Sequence, residues 1–119
     1  MKKLKILFMI VVLAFATFST VLGTRVLSEE RITTNTKDQD NPAIYGDIIV
    51  WCDYRNDDTD IWSYNLKTKE EFRITTDPNS QCNPAIYGDI IVWEDEREGS
   101  TNPGIWGYNL KTKEEFQIT

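Results

Sequence analysis

The chain contains a tandem repeat with a period of 42 residues. The segment NPAIYGDIIVW at residues 41–51 returns without change at 83–93. A second segment, YNLKTKEEF, occupies residues 64–72 and returns at 108–116, because the connection before it is two residues longer in the second copy. The chain therefore builds one local structure twice, and the two copies are expected to pack against each other.

Within each copy apolar side chains alternate with a period of two, which predicts strands rather than helices. A repeat of about 40 to 45 residues with four short strands is typical of a β-propeller blade. The predicted fold is all-β, a partial β-propeller of two four-stranded antiparallel blades, with repeat 1 at residues 41–82 and repeat 2 at 83–119. In repeat 1 the expected strands are 41–46, 47–53, 60–66 and 71–75.

One additional strand is expected ahead of the first blade. The sequence RITT at residues 31–34 returns at 73–76, within the expected outer strand, so residues 24–40 are interpreted as a linker with a leading outer strand. Propellers generally close with about four to eight blades. Two interpretations stay open: a fragment of a longer propeller, and a two-blade chain that assembles with copies of itself into a ring.

The strands that carry tryptophan are apolar on both faces. Ile48 and Val50 point to one side, and Ile49 and Trp51 point to the other, so the strand has to be covered on both sides. Packing between blades is the favoured role for the four tryptophans, since large aromatic side chains dominate buried contacts. The alternative is a ligand platform, with Trp51 and Trp93 as the aromatic contacts.

Residues 1–23 predict a secretory signal peptide. Three lysines in the first five residues precede an uncharged segment at 6–23 that ends in Val21-Leu22-Gly23. The alternative is an uncleaved membrane anchor, because 18 uncharged residues lie near the minimum for crossing a bilayer. Either interpretation places the repeats outside the cytoplasm, in the extracellular space or at the cell surface.

The charge of the chain excludes two classes of partner. Without the three lysines of the leader, the remaining residues comprise 10 basic against 19 acidic side chains, a net charge of −9. Such a surface repels nucleic acid and anionic lipid. The membrane is therefore expected to matter only through an uncleaved N-terminal segment.

The sequence offers little material for catalysis. It contains no histidine, which removes the commonest general base and metal ligand. Asp53 and Asp95 occur at the same position of both copies and are the remaining acid-base candidates. The favoured interpretation is that each pairs with the arginine two residues later, Arg55 or Arg97, and fixes a loop. No enzyme activity, catalytic residue or cofactor site is expected.

An oxygen-rich loop is the one candidate for a metal ion. Asn56, Asp57, Asp58 and Asp60 carry the hard oxygen ligands that calcium prefers. Their spacing matches no EF-hand loop. A solvated acidic turn is the favoured interpretation, and calcium is the alternative.

Two cysteines, Cys52 and Cys82, are not equivalent in the repeat, since Glu94 and Asp40 occupy the matching positions. Both are nevertheless expected at the same rim, one in each blade. An oxidising compartment allows a disulfide between them, which would close a loop of about 30 residues and contribute roughly 3 kcal/mol. Two free thiols are the alternative.

The motif W-x-D-x-R at residues 51–55 and 93–97, followed by Asp60-Ile61-Trp62 and Asn65-Leu66-Lys67-Thr68, resembles the TolB-like β-propeller repeats of secreted and surface proteins, many of them archaeal. The resemblance covers residues 31–119. It implies a propeller used as a binding or structural surface, usually without catalysis. Lys69 stands where the resembled repeats often have glycine.

The expected function is a non-enzymatic secreted or surface β-propeller module for protein or glycan contact. It would work as an oligomer or as part of a longer propeller. One alternative is a lectin-like ring of two-blade chains that binds carbohydrate between blades, with Trp51, Asp53 and Arg55 at the sugar. The other is a truncated remnant without activity.

Overall fold

The structure of the protein is a computed structural model that describes residues 28–119. The predicted signal peptide or membrane anchor at 1–23 lies outside the described residues. Ile32–Thr119 form one compact unit that contains all the strands given below. In residues 28–119 there is no helix of the length and apolar character needed to span a membrane.

Eight strands form two four-stranded antiparallel sheets, and within each sheet the strands pair in the order in which they follow in the chain. The first sheet consists of β1 Gln39–Tyr45, β2 Ile48–Asp53, β3 Asp60–Asn65 and β4 Glu70–Arg73. The second sheet consists of β5 Gln81–Tyr87, β6 Ile90–Asp95, β7 Gly104–Asn109 and β8 Glu114–Gln117. The predicted all-β fold is confirmed, and the observed strand ends in the first sheet lie within two residues of the expected ones.

The hairpin between β3 and β4 shows how lysine can occupy a position where the resembled repeats often have glycine. Lys69 and its counterpart Lys113 have φ angles of 63° and 60°, in the left-handed region. The Asn65 side-chain oxygen accepts the amides of Lys67 and Thr68 at 2.8 and 3.1 Å. Asparagine side chains stabilise tight turns in this way, so the left-handed residue is held without glycine.

The two sheets pack face to face. We call the side of the first sheet that contacts the second sheet its forward face, and the opposite side its back face, and we use the same terms for the equivalent sides of the second sheet. The forward face of the first sheet carries Ala43, Ile48, Val50, Ile61 and Phe72. The back face of the second sheet carries Ile86, Ile91, Trp93, Trp106 and Tyr108.

The hydrophobic core lies between the sheets rather than within either one. Its buried members are Val50 and Ile61 from the first sheet, Ile91 and Trp93 from the second, and Ile74 from the connection that joins them. Burial of apolar area contributes about 25 cal/mol per Å². Each sheet therefore depends on the other for its main apolar stabilisation.

The predicted leading strand at 31–34 is wrong, because in the described residues the first strand begins at Gln39. The repeat shows the physical reason. Ile74 and Thr75, the counterparts of the RITT motif, already lie beyond the end of β4, and their amides donate to the Ile61 carbonyl oxygen at 2.8 and 3.3 Å. The motif marks the crossing from one sheet to the next and adds no ninth strand.

The same crossing position is occupied ahead of the first sheet. Ile32 and Thr33 lie against the back face of that sheet, where they line a depression of about 210 Å³ together with Ile49 and Trp51. In the second sheet the corresponding space is occupied by the core between the sheets. The back face of the first sheet thus retains an apolar hollow.

Ile74→Ala should lower the free energy of unfolding by about 2 to 4 kcal/mol, because it leaves a cavity in the core. Ile118 is the matched control, since it is the repeat counterpart but is 51% exposed, against 6% for Ile74. Ile118→Ala should change the free energy of unfolding by less than about 1 kcal/mol. Urea denaturation at low protein concentration measures both, and equal losses would contradict a core centred on Ile74.

Candidate functional site

The first sheet carries a tryptophan, aspartate and arginine unit at the end of β2. The Trp51 indole nitrogen donates to Asp53 Oδ2 at 2.8 Å. The Arg55 guanidinium donates to both carboxylate oxygens, from Nε at 2.8 Å and from Nη2 at 2.7 Å, and the Arg55 amide donates at 2.9 Å. Asp53 is fully buried, so four donors neutralise a carboxylate that has no contact with water.

The second sheet repeats this unit at the end of β6. Trp93 donates to Asp95 at 2.9 Å, the Arg97 guanidinium donates at 2.9 and 2.7 Å, and the Arg97 amide donates at 3.0 Å. Asp95 is also fully buried. The W-x-D-x-R motif therefore gives one geometry in both copies.

Each arginine also ties its loop to the outer strands of its sheet. The Arg55 guanidinium lies 3.6 Å from the ring centroid of Trp62 on β3, and Nη2 pairs with Glu71 on β4 at 2.5 Å. Arg97 lies at the same distance over Trp106. A guanidinium that stacks on an aromatic ring and pairs with two carboxylates is held on all sides. These contacts fix the point where each loop leaves its sheet.

The two buried aspartates are held in the ionised form. Burial alone would raise the pKa of Asp53, but the hydrogen bonds from Arg55 and Trp51 outweigh burial and keep the pKa below its ordinary value. The pKa of Asp95 is lowered by the same balance of causes. At neutral pH these carboxylates have no proton to donate, and their oxygens are occupied. They suit loop fixation rather than general acid catalysis.

The free energy of unfolding should stay flat from about pH 7 to about pH 5 and fall below about pH 4. The folded-state pKa of Asp53 lies below the unfolded value, so the stability it contributes is present above the unfolded pKa and is lost as the pH falls toward the folded pKa. Asp53→Asn should cost about 3 kcal/mol at neutral pH and make the acid decline shallower.

Thermal unfolding across this pH range tests the prediction. Asp47→Asn is the control, because the Asp47 carboxylate is exposed and its ion pair with Lys67 is long, at 3.9 Å. The control should follow the wild type. An acid decline in Asp53→Asn as steep as that of the wild type would show that another group carries the pH dependence.

A disulfide joins the two sheets. The structure brings Cys52 on β2 and Cys82 on β5 together, with their Cα atoms 5.1 Å apart. Cys52 is fully buried, and Asp40 Oδ1 lies 3.9 Å from the Cys82 sulfur. The bond therefore links the forward face of the first sheet directly to β5, the first strand of the second sheet.

Replacing Cys52 and Cys82 together by alanine should lower the free energy of unfolding by about 3 kcal/mol, because the bond closes a loop with a sequence separation of 30. Denaturation with and without a reductant measures the effect. The reduced wild type should match the double variant, and the double variant should not respond to reductant. A wild type whose stability is insensitive to reductant would contradict the prediction.

The acidic loop at 56–60 is partly neutralised within the protein. The buried Asp60 carboxylate pairs with Arg73 at 2.7 Å and also accepts the Asn56 amide. Its oxygens are therefore already occupied, and the other two carboxylates of the loop are exposed. Within residues 28–119, the ligand atoms found close enough to share a metal ion are those of Asp40 and the two bonded cysteines.

The first strands of the two sheets, β1 and β5, which we call the innermost strands, make contacts that the sequence did not predict. Asn41 donates to Asn83 at 2.9 Å, and the rings of Tyr45 and Tyr87 lie with their centroids 5.0 Å apart. Each pair joins equivalent positions of the two copies. The available signal was the repeat itself, since stacking two identical strands side by side places like residues next to each other.

Solved structures show the same fold. The structure of putative TolB from Agrobacterium tumefaciens matches with a TM-score of 0.64 and 22% identity over 74% of this chain and 32% of that chain. TolB from Acinetobacter baumannii matches with a TM-score of 0.63 and 19% identity, over 81% and 25% of the two chains. The tricorn protease matches with a TM-score of 0.58 and 27% identity, over 70% and 8%.

These matched proteins are β-propellers, and each match covers more of this chain than one sheet contains. The two sheets are β-propeller blades. The chain spans at most about a third of the length of the propeller proteins named here. No protein-family model and no curated protein sequence matches it.

The two blades differ most at one rim of the propeller. The connections between second and third strands, residues 54–59 and 96–103, leave the blades at the same rim, because the strands alternate in direction. Their sequences are YRNDDT and EREGSTNP. Both are largely exposed. A nearly identical framework therefore holds two unlike loops side by side.

Proposed function

We propose that this protein is a non-enzymatic β-propeller module that presents the loops 54–59 and 96–103 to a protein partner. The observation that carries the proposal is the contrast between the fixed frame and the unlike loops. Binding residues are disproportionately found on loops that a rigid scaffold positions. The buried pairs Asp53 with Arg55 and Asp95 with Arg97 provide that rigidity at the base of each loop.

The charge of this rim favours a basic partner surface. Asp57, Asp58 and Asp77 line a shallow depression of about 210 Å³ there. The described residues that line it include one cation, Arg73, which already pairs with Asp60. Complementary charge speeds association and selects partners. We further propose that the module works outside the cytoplasm, in keeping with the N-terminal sequence at 1–23.

Protein contact is preferred over glycan contact because the candidate sugar-binding rings are covered. Trp51 and Trp93 are 4% and 1% exposed, and their indole nitrogens are bound to aspartates. A sugar would need at least one open aromatic face on which to stack. The indole rings in the W-x-D-x-R motif do not provide such a face.

Selection from a phage-displayed peptide library on the immobilised protein tests the proposal. Peptides rich in lysine and arginine should be enriched, and their binding should weaken with salt. A variant with residues 56–58 and 98–101 replaced by glycine and serine should lose these peptides, because it lacks the exposed side chains of the loops but keeps Arg55, Arg97 and their buried partners.

The matched control carries glycine and serine at Lys67, Thr68, Lys111 and Thr112, in the hairpins of the opposite rim. It should bind the selected peptides as the wild type does. Equal binding to the loop variant would overturn the proposed surface. Binding to a glycan array, with quenching of tryptophan fluorescence, would favour carbohydrate as the ligand instead.

A further inference from the structure

The forward face of the second blade exposes the side chains that its counterpart buries. Ile118 is 51% exposed although its counterpart, Ile74, lies in the core, and Tyr87 is 79% exposed against 43% for Tyr45. Phe116 on β8 is also exposed, whereas the equivalent Phe72 packs against the core. This face therefore has the composition of an interface and no covering within residues 28–119.

The back face of the first blade offers the complementary half. Ile44 is 60% exposed, whereas its counterpart Ile86 packs against the core between the blades. On the back face of the first blade, the hollow lined by Ile32, Ile49 and Trp51 is open. On the back face of the second blade, the equivalent space is filled by Val50 and Ile61 of the first blade. Val92 and Ile105 are the counterparts of those two residues on the open forward face.

We propose that a second copy of this chain docks head to tail, with the back face of its first blade against the forward face of the second blade of the first copy, and that repulsion between the facing carboxylates Glu94 and Asp40 weakens this junction. The docking reproduces between chains the contact that already joins the two blades within one chain. Propellers close with about four to eight blades, so a closed ring would hold about two to four copies.

Charged groups at the hairpin rim match this arrangement. Within the chain, the cleft between the blades is lined by Glu70 and Glu71 from one side and Lys113 from the other. The repeat places Glu114 on the open forward face, opposite Lys69 in the β3–β4 hairpin of a second copy. Opposite charges therefore meet at the junction, as they do within the chain.

The innermost strands match as well. Within the chain, Asn41 bonds to Asn83 and Tyr45 contacts Tyr87. At the junction, Asn83 and Tyr87 of one copy would meet Asn41 and Tyr45 of the second copy. Both contacts join like residues, so the exposed ring of Tyr87 would gain a second tilted ring contact like the one that it makes with Tyr45.

One pair of positions differs and weakens the junction. The repeat counterparts of Cys52 and Cys82 are Glu94 and Asp40, so two carboxylates replace the disulfide at the junction between copies. Two carboxylates of like charge that face each other across the junction repel. The chain therefore associates less tightly than it would with one of the two charges removed.

The side chains that donate to these carboxylates are neutral. Asp40 accepts the Tyr54 hydroxyl at 3.1 Å, and this bond raises the pKa of Tyr54. Asp38 adds negative charge near the same hydroxyl. The Glu94 carboxylate accepts the Asn83 amide at 2.8 Å, and the strand neighbours of Glu94, namely Cys82 in its disulfide and Ile105, carry no charge.

The mass of the full chain, measured at neutral pH by light scattering after size exclusion, tests the association. A mild detergent keeps the apolar segment 6–23 in solution. The mass should correspond to two or more copies of the chain. Phe116→Glu places a charge on the outer strand of the open face and should give a monomer with an unchanged circular dichroism spectrum.

Thr112→Glu is the control for that variant, because it adds the same charge to the exposed hairpin beside the face and should leave the mass unchanged. A monomer at every protein concentration overturns the proposal. So does an oligomer that Phe116→Glu leaves intact, since its contact would lie elsewhere.

Glu94→Gln tests the repulsion between the facing carboxylates. Glutamine still accepts the Asn83 side-chain amide, so the fold is kept while one of the two facing charges is removed. The dissociation constant at neutral pH should fall about fivefold. Glu98→Gln makes the same charge change at the loop rim and should behave as the wild type. Equal behaviour of the two variants would overturn the role of the carboxylate pair.

Discussion

A four-stranded sheet is one layer thick and has no interior, so in this chain Val50 and Ile61 are buried because Ile91 and Trp93 of the other blade lie against them. The connection adds Ile74 to the same cluster. Every other feature depends on this contact, since the loops, the disulfide and the innermost strands keep their positions only while the blades stay stacked. Stability is thus a property of the junction between repeats rather than of a repeat.

Polar contacts then fix the ends of β2 and β6 at the rim. The carboxylates of Asp53 and Asp95 are buried with a full set of donors, which removes the cost of an unpaired buried charge. Trp51 takes part in both the apolar and the polar contacts, because its ring is buried while its indole nitrogen donates to the Asp53 carboxylate. The same few residues therefore join the apolar interior to the start of an exposed loop.

Much of this arrangement follows from the printed sequence. The period of two and the repeat gave the strands to within two residues, and the spacing of Asp53 and Arg55 predicted their pairing. The failure at 31–34 has a physical cause, since a sequence match shows that two segments are alike but does not show where the hydrogen-bond partners of either lie. The contact of Asn41 with Asn83 likewise depends on how the blades stack.

Identical repeats create a folding hazard, because a strand from one copy fits equally well in the place of its twin. β1 differs from β5 only at Asp40 and Cys82, and β2 differs from β6 only at Cys52 and Glu94. These are the two positions of the disulfide and of its acidic counterparts. Exchange of the whole β1–β2 hairpin with the β5–β6 hairpin would move Cys82 to the Asp40 position and Cys52 to the Glu94 position, which lie apart in different sheets, so the covalent bond forms only when each hairpin occupies its own blade. The disulfide thereby gives two nearly identical halves a unique order.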